Sequence, residues 1–404
     1  MSGFGDDAAD ASERAVRVAY GRLVAFLATR TRDLAAAEDA VSEALVEALR
    51  TWPDRGVPNH PVSWLATVAA NRLTDAGRGA ERERRLLHSL AEHRTPAESE
   101  TPADDRLDVL LACAHDAIAA DLHTPLMLQC GLGLTAEQIA AVCLVSPANL
   151  RRRLTRAKAK IRDAGIRFDL SSDATGAERI APLLDSLYAL FAVGWEGGGE
   201  TESVAMAAEA ILLAEAIAVR LPDHAESLGL LALMHHAHAR RRARVVNGRF
   251  VPLARQDTAR WDAAGIEAGE RCLHHAARQR QPGLYQTLAA IQSVHAARHR
   301  IGQTNWPAIV SLYDAAVAMQ PSLGLRISRA AAVRHVAGDA AALGALDAIA
   351  HGPDASRLQT HQPYWAVRAA VLGSLDPDAA DAARRHAVGL TTDPAVRAFL
   401  VGKQ

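Results

Sequence analysis

The sequence predicts an all-α protein, and three observations carry that reading. Alanine and leucine abound while β-branched runs are scarce, a composition that favours helix over strand. Apolar residues recur three and four positions apart through most of the chain. Aromatic residues, which strands favour, are only 4% of the total, and no segment shows a strand pattern.

At 404 residues the chain is long enough for about three domains. It has no apolar run of membrane-spanning length, so no membrane partner is expected. The stretch Met1 to Asp10 is small and acidic, unlike a signal peptide. Cys113, Cys130, Cys143 and Cys272 lie far apart without a C-x-x-C and read as reduced, mostly buried thiols. Together these features point to the cytoplasm. The net charge of −1 means that any nucleic-acid contact must come from local patches.

Residues 11 to 50 predict two amphipathic helices. Tyr20, Leu23, Val24 and Leu27 make one apolar face; Ala40, Val41, Ala44, Leu45, Ala48 and Leu49 make the next. Trp52-Pro53 is expected to stop the second helix, because a residue before proline avoids the helical region. Asp54 to Pro61 reads as a loop, and a third helix starts at Val62. Residues 91 to 105 carry two prolines and no large apolar residue, which predicts a solvated acidic linker. A second helical unit spans 104 to 168. After the polar stretch Asp169 to Glu178, a third helical block fills the rest of the chain.

The sharpest motif runs from Leu134 to Ile161. Thr135 can cap a short helix with Ile139, Ala140 and Cys143 inward; a turn follows at Leu144 to Ser146. Ser146 then caps a second helix with Pro147 at its first position, where a missing N–H costs nothing. Leu150, Leu154, Ala157 and Ile161 fall on one face. The other face shows Asn149, Arg151, Arg152, Arg153, Arg156 and Lys158, and residues 151 to 162 hold seven bases and no acid. A helix-turn-helix places such a helix in the major groove, where guanidinium groups pair with guanine edges and flanking cations neutralise phosphates.

This helix pair, continuing into R-L-T-R-A-K-A-K-I-R, resembles region 4 of a sigma factor of the extracytoplasmic-function type, the part that reads the −35 element. Ala37 to Trp52 is similar to region 2.2, which implies that Asp39, Ser42 and Glu43 lie at a contact with RNA polymerase core. Pro61 to Arg78 resembles regions 2.3 and 2.4, which read the −10 element, with Asn71, Arg72, Asp75 and Arg78 at the polar positions. The resemblance implies domains at 1–90 (sigma region 2), 91–103 (linker), 104–168 (sigma region 4) and 169–404 (extension). It also implies polymerase core, through its β′ clamp helices and β flap, and promoter DNA as partners.

The words L-Y-A-L-F-A-V-G-W and T-N-W-P-A-I-V-S-L-Y-D extend the likeness to a subgroup with a long C-terminal extension. Ile309, Tyr313, Ala316 and Pro321 match the second-helix spacing of a TPR, and Ala341, Ala345, Ala348 and Pro353 repeat it further along. A helical solenoid leaves a concave face for a protein or peptide partner. Trp306, Tyr313, Tyr364 and Trp365 are candidates for it, or for packing between the repeat helices.

Two rival readings use the same residues. One is a helix-turn-helix regulator that never joins polymerase; the other is a helical-repeat scaffold. His295 and His299 have a spacing that can hold a metal, but no carboxylate stands beside them, and the histidine clusters read as surface residues. Gly197 to Gly199 lacks the strand and lysine of a phosphate loop. No nucleophile–base–acid set stands out, so neither catalysis nor a cofactor is expected.

Overall fold

The computed structural model describes residues 20–31, 33–76, 106–143, 145–164, 177–196 and 201–402. The chain forms two compact units, Met1–Leu190 and Phe191–Gln404. Both are helical, as expected from composition and periodicity.

In the first unit, helix α1 covers residues 20–31, followed by α2 (Leu34–Arg55) and α3 (Pro61–Ala76). Asp33 starts α2, its carboxylate accepting from the Ala36 N–H at 3.0 Å. Leu23, Val24 and Leu27 of α1 are buried, as are Leu34, Val41 and Ala44 of α2 and Leu65 of α3. Pro53 does not stop α2: the helix continues for two residues to Arg55 and ends at Gly56, with φ 79°. Proline removes one amide bond to the preceding turn, and the helix ends when glycine supplies a left-handed exit. Trp52 and Trp64 close the α2–α3 corner edge to face, with centroids 5.6 Å apart.

The unit continues with α4 (Arg106–Ala112), α5 (His123–Cys130), α6 (Ala136–Cys143) and α7 (Pro147–Asp163). The segments expected as separate domains pack together here, with α2 in contact with α7. A Cβ on Gly21 of α1 would lie 2.2 Å from the Gly131 carbonyl oxygen at the end of α5, so only glycine permits that approach. The acidic linker at 91–103 lies outside the described residues.

The dividing point between the units falls within α8 (Ala177–Glu196). The second unit holds α9 (Thr201–Arg220), α10 (Ala225–His238) and the short α11 (Arg241–Arg244). A hairpin then pairs β1 (Val245–Val246) with β2 (Arg249–Phe250). No strand was expected, yet V-V-N-G-R-F carries a signal for one. Asn247 and Gly248 both have positive φ, as a two-residue hairpin turn requires.

Beyond it come α12 (Ala263–Arg278), α13 (Leu284–Ala296), α14 (Arg298–Ile301), α15 (Trp306–Met319) and α16 (Leu323–Ala350). The chain ends with α17 (Ala355–Leu358), α18 (Gln362–Leu372), α19 (Pro377–Leu390) and α20 (Pro394–Val401). From α15 onward, long helices pack mainly on their neighbours in sequence, as in a stack of helix pairs. Ile309 and Ala316 are buried as the repeat spacing predicts. The second repeat is shifted by one residue: Ala342, Leu346 and Ile349 are buried, in place of Ala341, Ala345 and Ala348. Gly338, with φ 85° and ψ 176°, breaks α16 into two helices and resets the face that points inward.

Candidate nucleic-acid interface

Helices α6 and α7 form the helix pair that the motif predicts. Thr135 and Gln138 make a reciprocal capping box: the Thr135 hydroxyl accepts from the Gln138 N–H at 3.3 Å, and the Gln138 side chain accepts from the Thr135 N–H at 2.9 Å. Ala136, Ile139 and Ala140 of α6 are buried. Cys143, expected inward, is only half-buried. Ser146 occupies the N-cap position of α7 in extended backbone, with Pro147 behind it; its hydroxyl makes no cap bond, contrary to expectation. Leu150, Leu154, Ala157 and Ile161 are all buried and anchor the helix along one stripe.

The opposite face of α7 is not uniform. Asn149, Arg151, Arg152 and Arg156 are exposed. Arg151 pairs with Glu137 of α6, and Arg153 pairs with Asp121 in the turn before α5. Arg152 and Arg156 have no ion-pair partner among the described residues. Lys158 departs from the sequence reading: its ammonium is turned into the unit, 2.5 Å from the Glu38 carboxylate of α2, and both side chains are largely buried. Burial alone would lower the Lys158 pKa, but neighbouring Cys130 and Glu38 hold it above the ordinary value. Tyr20, against the same cluster, is pushed up by burial and then by Glu38. Sequence spacing places Lys158 on the helix's polar flank but gives no sign that Glu38 waits there.

Helix α2 shows its own exposed stripe. Asp39, Ser42 and Glu43 lie on it beside two apolar residues, Val46 and Leu49, which are 57% and 75% exposed. Ser42 also hydrogen-bonds the Tyr20 side chain. Arg72 of α3 lies 3.6 Å from Glu43, and Asn71 is exposed next to it. These positions therefore join the two expected contacts, for polymerase and for the −10 element, along one edge of the α2–α3 pair. The side chain of Asp75, and Arg78 as a whole, lie outside the described residues.

In the second unit Tyr364 is buried in a core of Leu323, Ile327, Leu346 and Val371, with Trp365 packed against it. Trp306 and Tyr313 pack on Ile291, Ile309 and Ala332. Packing between helices thus accounts for much of these four aromatics. The histidines are not all on the surface: the side chain of His236 is fully buried, 3.7 Å from Glu270. Burial lowers its pKa to about 4. No metal-holding group of three ligands occurs among the described residues.

Comparison with known proteins matches residues 16–83 to sigma-70 region 2. Residues 179–277 match a family of unknown function (DUF6596). An uncharacterised protein of Rhizobium meliloti (strain 1021) is 34% identical over 382 residues, covering 91% of this chain and 89% of its own. The chain belongs to one family with that protein. A probable RNA polymerase sigma factor, RfaY, of Xanthomonas campestris pv. campestris is 32% identical over 170 residues, 37% of this chain and 42% of its own. No solved structure matches the chain. The region 2 match and the Xanthomonas relative together support a sigma-70 family factor. No helix among the described residues is long and apolar enough to cross a membrane.

Proposed function

We propose that this protein is a cytoplasmic sigma subunit of the extracytoplasmic-function type that directs RNA polymerase core to promoters. The observation that carries this reading is the exposed stripe of α2, lying within the segment that matches sigma-70 region 2. Acidic Asp39 and Glu43 around exposed Val46 and Leu49 suit a helical partner with a basic rim, as a polymerase dock requires. In this reading α7 enters the major groove at the −35 element through Asn149, Arg152 and Arg156, with Arg151 and Arg153 available if their pairs with Glu137 and Asp121 open. Asn71 and Arg72, with Asp75 and Arg78, act at the −10 element.

Run-off transcription with purified core polymerase and a genomic promoter library tests the reading. Reversing Asp39 and Glu43 to Lys weakens association with core while the fold is kept. Replacing Arg152 by Ala costs about 1–3 kcal/mol in promoter binding if it meets a base. Unchanged co-purification of the charge-reversed chain with core removes the sigma assignment and leaves a helix-turn-helix regulator.

The helical extension, in the same proposal, controls the sigma half in cis. The continuous chain through α8, within which the two units divide, keeps the two at high effective concentration. Truncation after Glu196, which keeps α8 with the first unit, then changes promoter choice or transcript yield; a truncated chain equal to the full one in both makes the extension an independent binding module.

A further inference from the structure

Among the described residues of the second unit Arg240 is the most deeply buried arginine. Like its half-buried neighbour Arg241, whose Nη1 donates to the Gly194 carbonyl at 3.2 Å, it holds a buried, unpaired guanidinium nitrogen. Arg326, Arg368 and Arg244 each face a carboxylate, on Asp354, Asp347 and Asp393. Arg298 gives its guanidinium to the backbone carbonyls of Leu253, Ala254 and Gln256. Arg240, between α10 and α11, is only 6% exposed and faces no carboxylate among the described residues. Its Nη2 donates to the Gln292 side-chain oxygen at 2.6 Å, while its Nη1 is buried without a hydrogen-bond partner.

Leaving a guanidinium N–H unpaired in the interior costs several kcal/mol, so proteins pair such groups or reserve them for a ligand. The neighbours of Arg240 do not neutralise it. Burial lowers its pKa to about 10, with Tyr313 opposing and Arg298 adding a smaller push in the same direction, so it stays protonated at neutral pH. His295, one turn after Gln292, is held neutral: burial first, then Arg240, Arg298 and His335, push it down to about 3.

The cluster reaches solvent. His335 is exposed and stacks on Trp306 at 3.7 Å, and Trp306 meets His295 edge to face at 5.4 Å. A buried cation with an unpaired N–H thus lies at the base, with Arg298 nearby and the rings of His295, Trp306 and His335 leading toward the surface. We infer that Arg240 is the anchor of a binding site for a small ligand bearing an oxyanion, a carboxylate or a phosphate, in the C-terminal unit. One ligand oxygen accepts from Arg240 Nη1, and the rings of Trp306 and His335 flank whatever carries the anion. The inference does not rest on the promoter reading, because binding is measured on the full chain alone.

The experiment titrates the full chain with inorganic phosphate and, separately, with acetate, each against chloride at matched ionic strength. The wild type gains about 3 °C in Tm at about tenfold excess over Kd with one or both oxyanions, and the Arg240→Met variant does not. A shift with phosphate alone assigns a phosphate-bearing ligand; a shift with acetate assigns a carboxylate. In case the variant does not fold, arginine side chains are ¹⁵N-labelled in the wild type. The slowly exchanging signal of the buried guanidinium then moves saturably with the active oxyanion. A wild type indifferent to both anions, an Arg240→Met chain that shifts equally, or an unmoved guanidinium signal overturns the site.

Discussion

The two units handle positive charge in opposite ways. In the first, most cations of α7 stand outside an apolar stripe of Leu150, Leu154, Ala157 and Ile161. In the second, the guanidinium of Arg240 sits inside, with the neutral imidazole of His236 buried as well. On the two functions proposed above, the difference separates charge displayed for a polyanion from charge kept for something smaller. An exposed row of bases adapts to a backbone of phosphates and is screened by salt. A desolvated guanidinium is costly to keep, and it discriminates by what fits beside it.

Lys158 is the exception that sharpens the contrast, because it is the one cation of α7 that the first unit takes inside. Replacing Glu38 by Gln leaves its ammonium buried without a counter-charge and lowers stability by about 3–5 kcal/mol. Hydrogen exchange at the α7 amides measures the loss. The double replacement Glu38→Leu with Lys158→Met comes close to neutral, because neither charge then needs compensation. A single variant as stable as the wild type shows that Lys158 moves out to solvent at little cost, and that α2 and α7 separate readily.

That pair also marks what the sequence could disclose. The helix pair α6–α7 was legible because its signals are local: Thr135 with Gln138, Pro147 at a helix start, and apolar residues at helical spacing. The stripe Asp39, Ser42 and Glu43 was legible as exposed for the same reason. Partners of α7 from elsewhere in the chain, Glu38 and Asp121, were not, since no periodicity links residues so far apart. The inner cluster of the second unit was misread. His235, His236 and His238 look like a polar patch in sequence, yet α10 is surrounded by α12 and α13, so its polar residues are covered as well. The one-residue shift at Ala342 had a local sign, Gly338, but glycine in a helical pattern does not by itself say that the phase changes.

The second unit is the more acid-sensitive of the two in this comparison. His236 has an ordinary value of 6.5 and a folded value of about 4, set first by burial, with Glu270 opposing and Arg240 and His235 adding to it. The unfolded chain therefore binds more protons between these values, and stability falls as pH drops through 6.5 and levels off below about 4. At pH 5 the loss from His236 alone is about 2 kcal/mol. Urea unfolding at pH 7 and pH 5, followed by tryptophan emission, reads it. His236→Leu reduces the difference by its own share and leaves that of His295, whose pKa burial lowers to about 3; equal midpoints for the wild type at both pH values contradict the burial that causes it.

The smallest effect tests the outer face itself. Arg153 and Arg156 lie on the same helix, yet Arg153 is tied to Asp121 and Arg156 has no ion-pair partner among the described residues. Both partners of the Arg153 pair are well exposed, so Asp121→Ala changes stability by no more than about 1 kcal/mol. Its consequence is expected in binding instead. An arginine that neutralises a phosphate contributes about 1 to the slope of log affinity against log salt, and its removal lowers the slope by that amount. Arg156→Ala should show this loss on promoter DNA. Arg153→Ala should leave the slope nearly unchanged, because Asp121 already neutralises it, and Asp121→Ala should raise the slope by freeing Arg153 for the backbone. If Arg153→Ala and Arg156→Ala lower the slope equally, the Arg153 pair opens on DNA, and the division of α7 into tied and free cations does not govern binding.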